Sequence, residues 1–352
     1  MFFLPRAFLV APLTAVLFFT SLLGGCAERG AEVGGGETKA ERLVVYSSRN
    51  EQLLAPVLAR YEAHSGVKVD YATDKAGVLL ERIKAEGANS PADVLITVDA
   101  GTLGFAASQG LFQPLDSSIV EQAVPVHLRD PKGRWAGLSL RARTIVYSTD
   151  RVAKQDLSSY AALAEPSWQG RLCLRTSKKV YNQSLVAMLI SELGEQQAER
   201  VVKGWVANLA IPPTSNDTKV MEAIVAGRCD IGIVNTYYFG RMQNAQANLP
   251  LALFWPDQAA GQGGVHVNVA GAGILQHAPR AAAARRFIEW LVSDEAQAIF
   301  AGVNQEYPVT STTEVDQQVA SWGVFRASQQ PLADAWLLQP AAVKLMDRVG
   351  YR

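Results

Sequence analysis

From Leu43 onward the apolar residues switch between two spacings. Leu43-Val44-Val45-Tyr46 is a continuous apolar run, and residues 43–48 read as a buried strand. Leu53, Leu54, Val57, Leu58 and Tyr61 then recur three and four residues apart, which predicts a helix ended by Gly66. Residues 67–71 alternate and predict a second strand. Leu79, Leu80, Ile83 and Ala85 mark another helix, residues 92–97 a third strand, and residues 99–109 a short helix closed by Gly110. This β-α-β-α-β order predicts an α/β fold with a mainly parallel sheet covered by helices.

The pattern changes at residues 135–147. Residues 141–147 read as extended, with Arg141, Arg143, Ile145 and Tyr147 on one side. Two readings follow: two guanidinium groups beside a phenol, or a solvated edge strand. Helix–strand alternation then resumes, with strands at 172–175 and 230–234 and helices at 182–193, 196–209 and 218–226. This predicts a second α/β lobe. A glycine-rich strand at 263–275 returns the chain to the first lobe, and helices follow at 279–292, from Glu295 to Phe300, and at 333–349, with a break expected near Pro340. The expected division is lobe 1 at 42–141 plus about 267–315, lobe 2 at 142–266, and a helical segment at 316–352 packed on the lobes.

The N-terminus adds an export signal. Arg6 precedes a nearly all-apolar run over 7–23, and Leu23-Gly24-Gly25-Cys26 resembles a bacterial lipobox. Residues 1–25 are thus expected to be a lipoprotein signal peptide, with Cys26 lipidated and anchored to a membrane on its extracytoplasmic face. The alternatives are an ordinary cleaved signal or an uncleaved anchor. Residues 26–41, with Gly34-Gly35-Gly36, read as a flexible tether. Export allows Cys173 and Cys229 to pair, for roughly 4 kcal/mol in the chain-entropy model; two buried thiols are the alternative. The 352 residues carry a formal net charge of +0 and no basic stripe, which gives no footing for nucleic acid.

The chemistry gathers after residues 229–234. There an apolar strand runs into Asn235-Thr236-Tyr237-Tyr238-Phe239-Gly240-Arg241, so both tyrosines stand where a strand ends and a helix begins. Ligands in open α/β folds bind at such strand ends, and helix N-termini favour anions. Asn235 or Thr236 is suited to cap that helix. Adjacent tyrosines are ordinary at surfaces and in cores. Alternatively, both deprotonate onto a hard cation; with a free phenol pKa of about 10, that takes a strong Lewis acid such as ferric iron. His64, His127, His266 and His277 lack metal-ligand spacing, which argues against zinc or copper. Ser47, Ser139 and Ser177 have no histidine nearby in sequence, and no Gly-x-Ser-x-Gly elbow occurs, so an exported enzyme is the remote reading.

Five stretches occur together in order: residues 44–50, Ser90-Pro91-Ala92-Asp93-Val94, Leu138-Ser139-Leu140-Arg141-Ala142-Arg143, Asn235-Thr236-Tyr237-Tyr238 and Glu306-Tyr307-Pro308. Through them the chain from about Leu43 resembles periplasmic ferric-iron-binding proteins, the substrate-binding components of bacterial iron ABC transporters. The resemblance implies a type II two-lobed periplasmic-binding-protein fold, with ferric iron held in the cleft as cargo. It implies Tyr237 and Tyr238 as ligands, Tyr147 as the third tyrosine of one branch, and Arg141 as the holder of a synergistic anion such as carbonate. Ser177 and Asn216 fall near the family's anion contacts. Another branch uses a histidine after the first strand and a glutamate after the third. Here Asn50 stands at the first position and no glutamate stands at the second, Asp99 lying one residue further on, so the tyrosine-rich branch matches better. Asn50 either touches the site or caps a helix; Asp99 and Arg143 are further cleft candidates. The implied partners are an inner-membrane ABC permease and its ATPase. The chain is expected to be a monomer without catalytic activity, and a small anion bound without metal is the closest alternative.

Overall fold

Residues Ala136–Ser148 form one long strand that belongs to both halves of the molecule. The computed structural model describes residues 41–246 and 248–352; the expected signal segment, Cys26 and the tether up to residue 40 lie outside them. The strands are β1 (Arg42–Ser47), β2 (Lys68–Thr73), β3 (Val94–Thr97), β4 (Ala136–Ser148), β5 (Leu172–Cys173), β6 (Ile231–Asn235), β7 (Leu251–Phe254) and β8 (Val267–Ile274). The helices are α1 (Glu51–Ser65), α2 (Ala76–Glu86), α3 (Ala100–Ser108), α4 (Ser118–Ala123), α5 (Val180–Leu193) and α6 (Glu195–Ala207). They continue as α7 (Asp217–Val225), α8 (Thr236–Ala245), α9 (Ala281–Leu291), α10 (Asp294–Gly302), α11 (Gln317–Ser321) and α12 (Ala335–Arg348).

The strands connect in the order β2-β1-β3-β8-β4-β6-β5, with β7 also on β4. The β1–β2 and β1–β3 pairs are parallel, as the opening alternation predicts. Strand β8 is antiparallel to both β3 and β4. Strand β4 changes partners along its length: Arg141 and Ala142 face Asn268 and Val267 of β8, whereas Arg143 to Tyr147 face Asn235 to Ile231 of β6. Strands β5 and β6 run parallel. The mixed sheet is therefore joined in its middle by β4 and β8, and it separates two sets of apolar packing.

One core gathers Leu43, Val45, Leu95, Leu103, Trp135 and Phe287. Another gathers Ile145, Tyr160, Leu172, Val202, Trp205 and Ile233 on one face of β4 and β6. Their alternate residues Val146 and Val234 face Cys173, Val220 and Ile224 on the opposite side. That is the period-2 consequence of a strand buried on both faces. Cys173 and Cys229 are joined in a disulfide, which ties β5 to the turn before β6.

Local signals explain the element ends. Asn50 accepts a hydrogen bond from the Gln52 amide at 3.1 Å and caps α1, while Gly66 ends it at φ 72, a conformation that costs glycine little. Asp99 caps α3 through the Thr102 amide at 2.8 Å. The break expected near Pro340 does not occur: α12 runs through it, as α1 runs through Pro56. Helix α12 is packed against α3 and α5, and that tertiary support outweighs one lost backbone bond. Strand β7, the apolar run Leu251-Ala252-Leu253-Phe254 to which the sequence reading assigned no strand, forms along β4.

Candidate functional site

Between the two cores lies an open cleft of about 520 Å³. Tyr181, Tyr237, Tyr238 and Arg241 line it from one side, and Asn50, Glu51, Thr73, Asp74 and Lys75 from the other. Arg49, Arg141, Val98 and Glu306 also line it.

The phenols come from two equivalent places. Strand β6 ends at Asn235, and α8 opens at once with Thr236, Tyr237 and Tyr238. Strand β5, parallel to β6, leads through a short loop to α5, whose second residue is Tyr181. Both strands deliver a tyrosine in the first turn of the following helix, at the strand ends where ligands bind in α/β folds. Asn235 occupies the cap position of α8, yet its side chain does not cap the helix. Its Oδ1 accepts from Arg143 Nη1 at 3.0 Å, and its Nδ2 donates to the Tyr237 hydroxyl at 3.3 Å. Gly240 lets α8 approach closely, because a Cβ there would lie 2.6 Å from Gln305 Oε1 and 2.8 Å from a Trp322 ring carbon.

The Tyr237 and Tyr238 rings lie 4.5 Å apart. Arg241 stands over Tyr237 at 5.0 Å and over Tyr238 at 5.8 Å. Arg141 stands 5.3 Å over Tyr181, and Arg175 stands 5.2 Å over Tyr181 and 5.8 Å over Tyr238. Several of their donors are buried without a hydrogen-bond partner among the described residues: Arg141 Nη1, Arg241 Nη2, and Arg175 Nε and Nη1. Such groups cost free energy unless a ligand answers them. Arg141 also donates to the Val98 carbonyl, which fixes its reach. Burial pushes the Tyr237 phenol well above its ordinary range, helped by the neighbouring Tyr181 and Tyr238, while Arg141 pulls it down. Burial likewise raises Tyr181, against the pull of Arg141. An incoming cation must therefore displace phenolic protons, which selects for a hard, highly charged ion.

The structure corrects part of the expected site. Tyr147 is not in the cleft: it lies six residues beyond Arg141 on β4, about 20 Å at the rise of a strand, and packs in the second core opposite Ile231 and Ala252. The same-side expectation for Arg141, Arg143 and Tyr147 overlooked the distance between them. Tyr181 lines the cleft beside Tyr237 and Tyr238 instead, and no apolar run marked it. Arg143 is also withdrawn from the cleft, buried with Asn182, Asn235 and Asp217, whose carboxylate lies 3.1 Å from Arg143 Nη1. Ser177 lies on another surface, where its amide donates to the Arg352 carbonyl. Asn216 caps α7 through the Lys219 amide at 2.9 Å. Asp99 is buried behind the cleft, bound by Asn268 and Gln339. Asn50 lines the cleft but spends its side-chain oxygen on capping α1. Arg175 and Arg241 were missed, and Arg241 had a signal, one helical turn after Tyr237 and Tyr238.

A buried Ser–His contact exists outside the cleft. Ser184 Oγ lies 3.1 Å from His266 Nε2, beside a small cavity of about 130 Å³. Burial and the nearby Arg141 and Arg143 push His266 down to about 3, so it is a weak base, and its neighbour in the network is Asn268 rather than an acid.

Residues 89–328 match the family model described as bacterial extracellular solute-binding protein. Iron uptake protein A1 of Synechocystis sp. is 40% identical over 344 residues, covering 96% of this chain and 95% of that protein. The major ferric iron-binding protein of Neisseria meningitidis serogroup B is 28% identical over 275 residues, covering 76% of this chain and 80% of that protein. A solved structure from Trichodesmium (IdiA, FutA), in complex with iron and citrate ligands, superposes with a TM-score of 0.83 at 39% identity, covering 88% of this chain and 100% of that one. The ferric binding protein from Campylobacter jejuni superposes with a TM-score of 0.83 at 31% identity, covering 88% of this chain and 100% of that one. The fold is the two-lobed type II arrangement expected from the sequence. With the fold, the cleft and the motif order agreeing, this chain belongs to the bacterial extracellular solute-binding protein family.

Proposed function

We propose that this chain binds one ferric ion in its interlobe cleft and delivers it to an inner-membrane ABC permease and its ATPase. Tyr181, Tyr237 and Tyr238 supply three phenolates, whose charge balances the trivalent cation. A synergistic anion, carbonate or a carboxylate such as the citrate of the Trichodesmium relative, fills the remaining positions against Arg141 and Arg241. The observation that carries this reading is the convergence of three tyrosines and unpaired guanidinium donors on one open cleft. Closure of the lobes about β4 and β8 gives the loaded protein a shape for the permease to recognise. The chain works as a binding protein rather than an enzyme, as a monomer. It acts outside the inner membrane, in the periplasm as its relatives' names state for them, tethered by lipid on Cys26.

The unpaired arginine donors also suit a small anion without metal, and one experiment separates the two readings. Iron-stripped protein is titrated with ferric citrate in bicarbonate buffer while visible absorption is followed. The expected result is a saturable phenolate-to-iron charge-transfer band at one iron per chain, lost in the folded Tyr237→Phe/Tyr238→Phe double variant. A folded protein that develops no band refutes the iron reading and leaves the anion.

A further inference from the structure

Outside the tyrosine-lined cleft, the cavity of about 130 Å³ beside His266 has one buried polar group left over. Its apolar lining comes from Ala187 and Met188 on α5, Val267 on β8, Leu332, and Leu338 on α12. The hydroxyls that line it are engaged. Ser191 Oγ donates to Gln330 Oε1 at 3.0 Å, and Ser328 Oγ donates to Glu192 Oε1 at 3.0 Å. Ser184 is fixed through Asn268. Asn268 Oδ1 accepts from the Ala100 and Val269 amides at 3.0 and 2.8 Å, so its Nδ2 is the group that donates to Ser184 Oγ at 2.6 Å. With that lone pair filled, the Ser184 proton goes to His266 Nε2, 3.1 Å away. Nε2 is therefore the bare nitrogen. Burial and the nearby Arg141 and Arg143 keep the ring neutral, pushed down to about 3. A neutral imidazole with a bare Nε2 carries its proton on Nδ1. His266 is buried, and Nδ1 has no partner among the described residues. Such a donor costs free energy until an acceptor answers it.

We propose that this cavity is a second binding site, for a small neutral molecule built on one six-membered ring and bearing a carbonyl oxygen that accepts the His266 Nδ1 proton. Size sets the ring: an apolar cavity of about 150 Å³ holds benzene. The lining sets the polar group. A hydroxyl would bring a second donor in need of its own acceptor, whereas a carbonyl brings only an acceptor. A carboxylate would be desolvated against Ala187, Val267 and Leu332, and Asp334 of the same lining repels it. A cation has no use for an N–H donor. The site is independent of the metal reading, since none of its lining residues lines the tyrosine cleft.

The test follows the histidine ring nitrogens by NMR in iron-free protein labelled with ¹⁵N-histidine, the His266 signals being those lost in His266→Phe. The expected ring is neutral with the proton on Nδ1. Cyclohexanone should shift the Nδ1 signal saturably, at one molecule per chain. Methylenecyclohexane, the same shape with a carbon in place of the oxygen, should bind about 5-fold more weakly, the net worth of one hydrogen bond. Ala187→Leu, which fills the cavity, should abolish the cyclohexanone shift, and the Tyr237→Phe/Tyr238→Phe double variant should keep it, which places the ketone outside the cleft. A proton found on Nε2, no saturable shift, equal affinity for the two molecules, a folded Ala187→Leu protein that binds as wild type, or loss of the shift in the tyrosine double variant each overturns the proposal. The tautomer and the paired ligands are read on wild type, so they decide the matter even where a variant does not fold.

Discussion

A phenol becomes a ligand only when a cation takes its proton, so its position in the cleft decides whether it counts. Tyr181 and Tyr147 are both substantially buried, and burial raises both above the ordinary phenol range. Only Tyr181 reaches the cleft. Tyr181→Phe should lower iron affinity by at least about 10-fold and weaken the charge-transfer band, while Tyr147→Phe leaves both unchanged; a chelator-competition titration read at the band checks this. Tyr237 and Tyr238 were legible because they are adjacent and follow an apolar run. Tyr181 was not, because residues 174–179 separate it from β5 and its own neighbours carry no pattern that distinguishes it. The signal lay in topology: two parallel strands feed two helices, and each helix opens with tyrosine. Arg141 was legible from its motif, yet its partner Arg175 was hidden in a stretch read only as a strand end.

At the scale of elements, the phenol-bearing helices are held by buried charge. Asp217, at the start of α7, is fully buried and lies within 3.1 Å of Arg143 on β4 and 3.5 Å of Arg175 beyond β5. It also accepts from the Asn235 amide at 2.9 Å, where β6 passes into α8. One carboxylate thus joins β4, β5, β6, α7 and α8. Removing one partner of such a group leaves uncompensated buried charge, which costs roughly 3–5 kcal/mol. Asp217→Ala should therefore lower unfolding free energy by about that amount in urea denaturation followed by circular dichroism, and the surviving folded fraction should bind iron more weakly because Tyr237 and Tyr238 lose their anchor. Sequence patterns fixed the helices and strands on either side of this cluster, since apolar periodicity reports local burial. They could not show that Arg143 leaves the cleft for Asp217, because that choice depends on β4 exchanging β8 for β6 between Ala142 and Arg143.

The whole molecule turns on β4 and β8, and the groups packed beside them set how it tolerates acid. His266, just before β8, is buried against Ser184, and its amide donates to the Tyr160 hydroxyl at 3.0 Å. Ser184 in turn receives Asn268 Nδ2 at 2.6 Å, and the same amide group donates to Asp99 Oδ1 at 2.8 Å, so one polar chain runs from α5 through β8 to the cap of α3. Burial and the charges of Arg141 and Arg143 push His266 down to about 3. The unfolded chain takes up this proton near pH 6.5, the native chain only near pH 3. Between those values the unfolded state binds more protons, so stability is present above pH 6.5 and is lost as pH falls, at up to about 1.4 kcal/mol per unit. Asp257 works in the opposite sense: burial raises it to about 6, so its contribution is present below pH 4 and is lost as pH rises through 6. The two therefore offset each other in wild type, and single variants separate them. His266→Gln, which keeps a partner for Ser184, should flatten the fall in unfolding free energy between pH 6 and pH 4, whereas Asp257→Asn should steepen it. Urea titrations across that range measure both slopes, and a His266→Gln protein with the wild-type slope would show that the neutral imidazole is not what makes the joint between the lobes sensitive to acid.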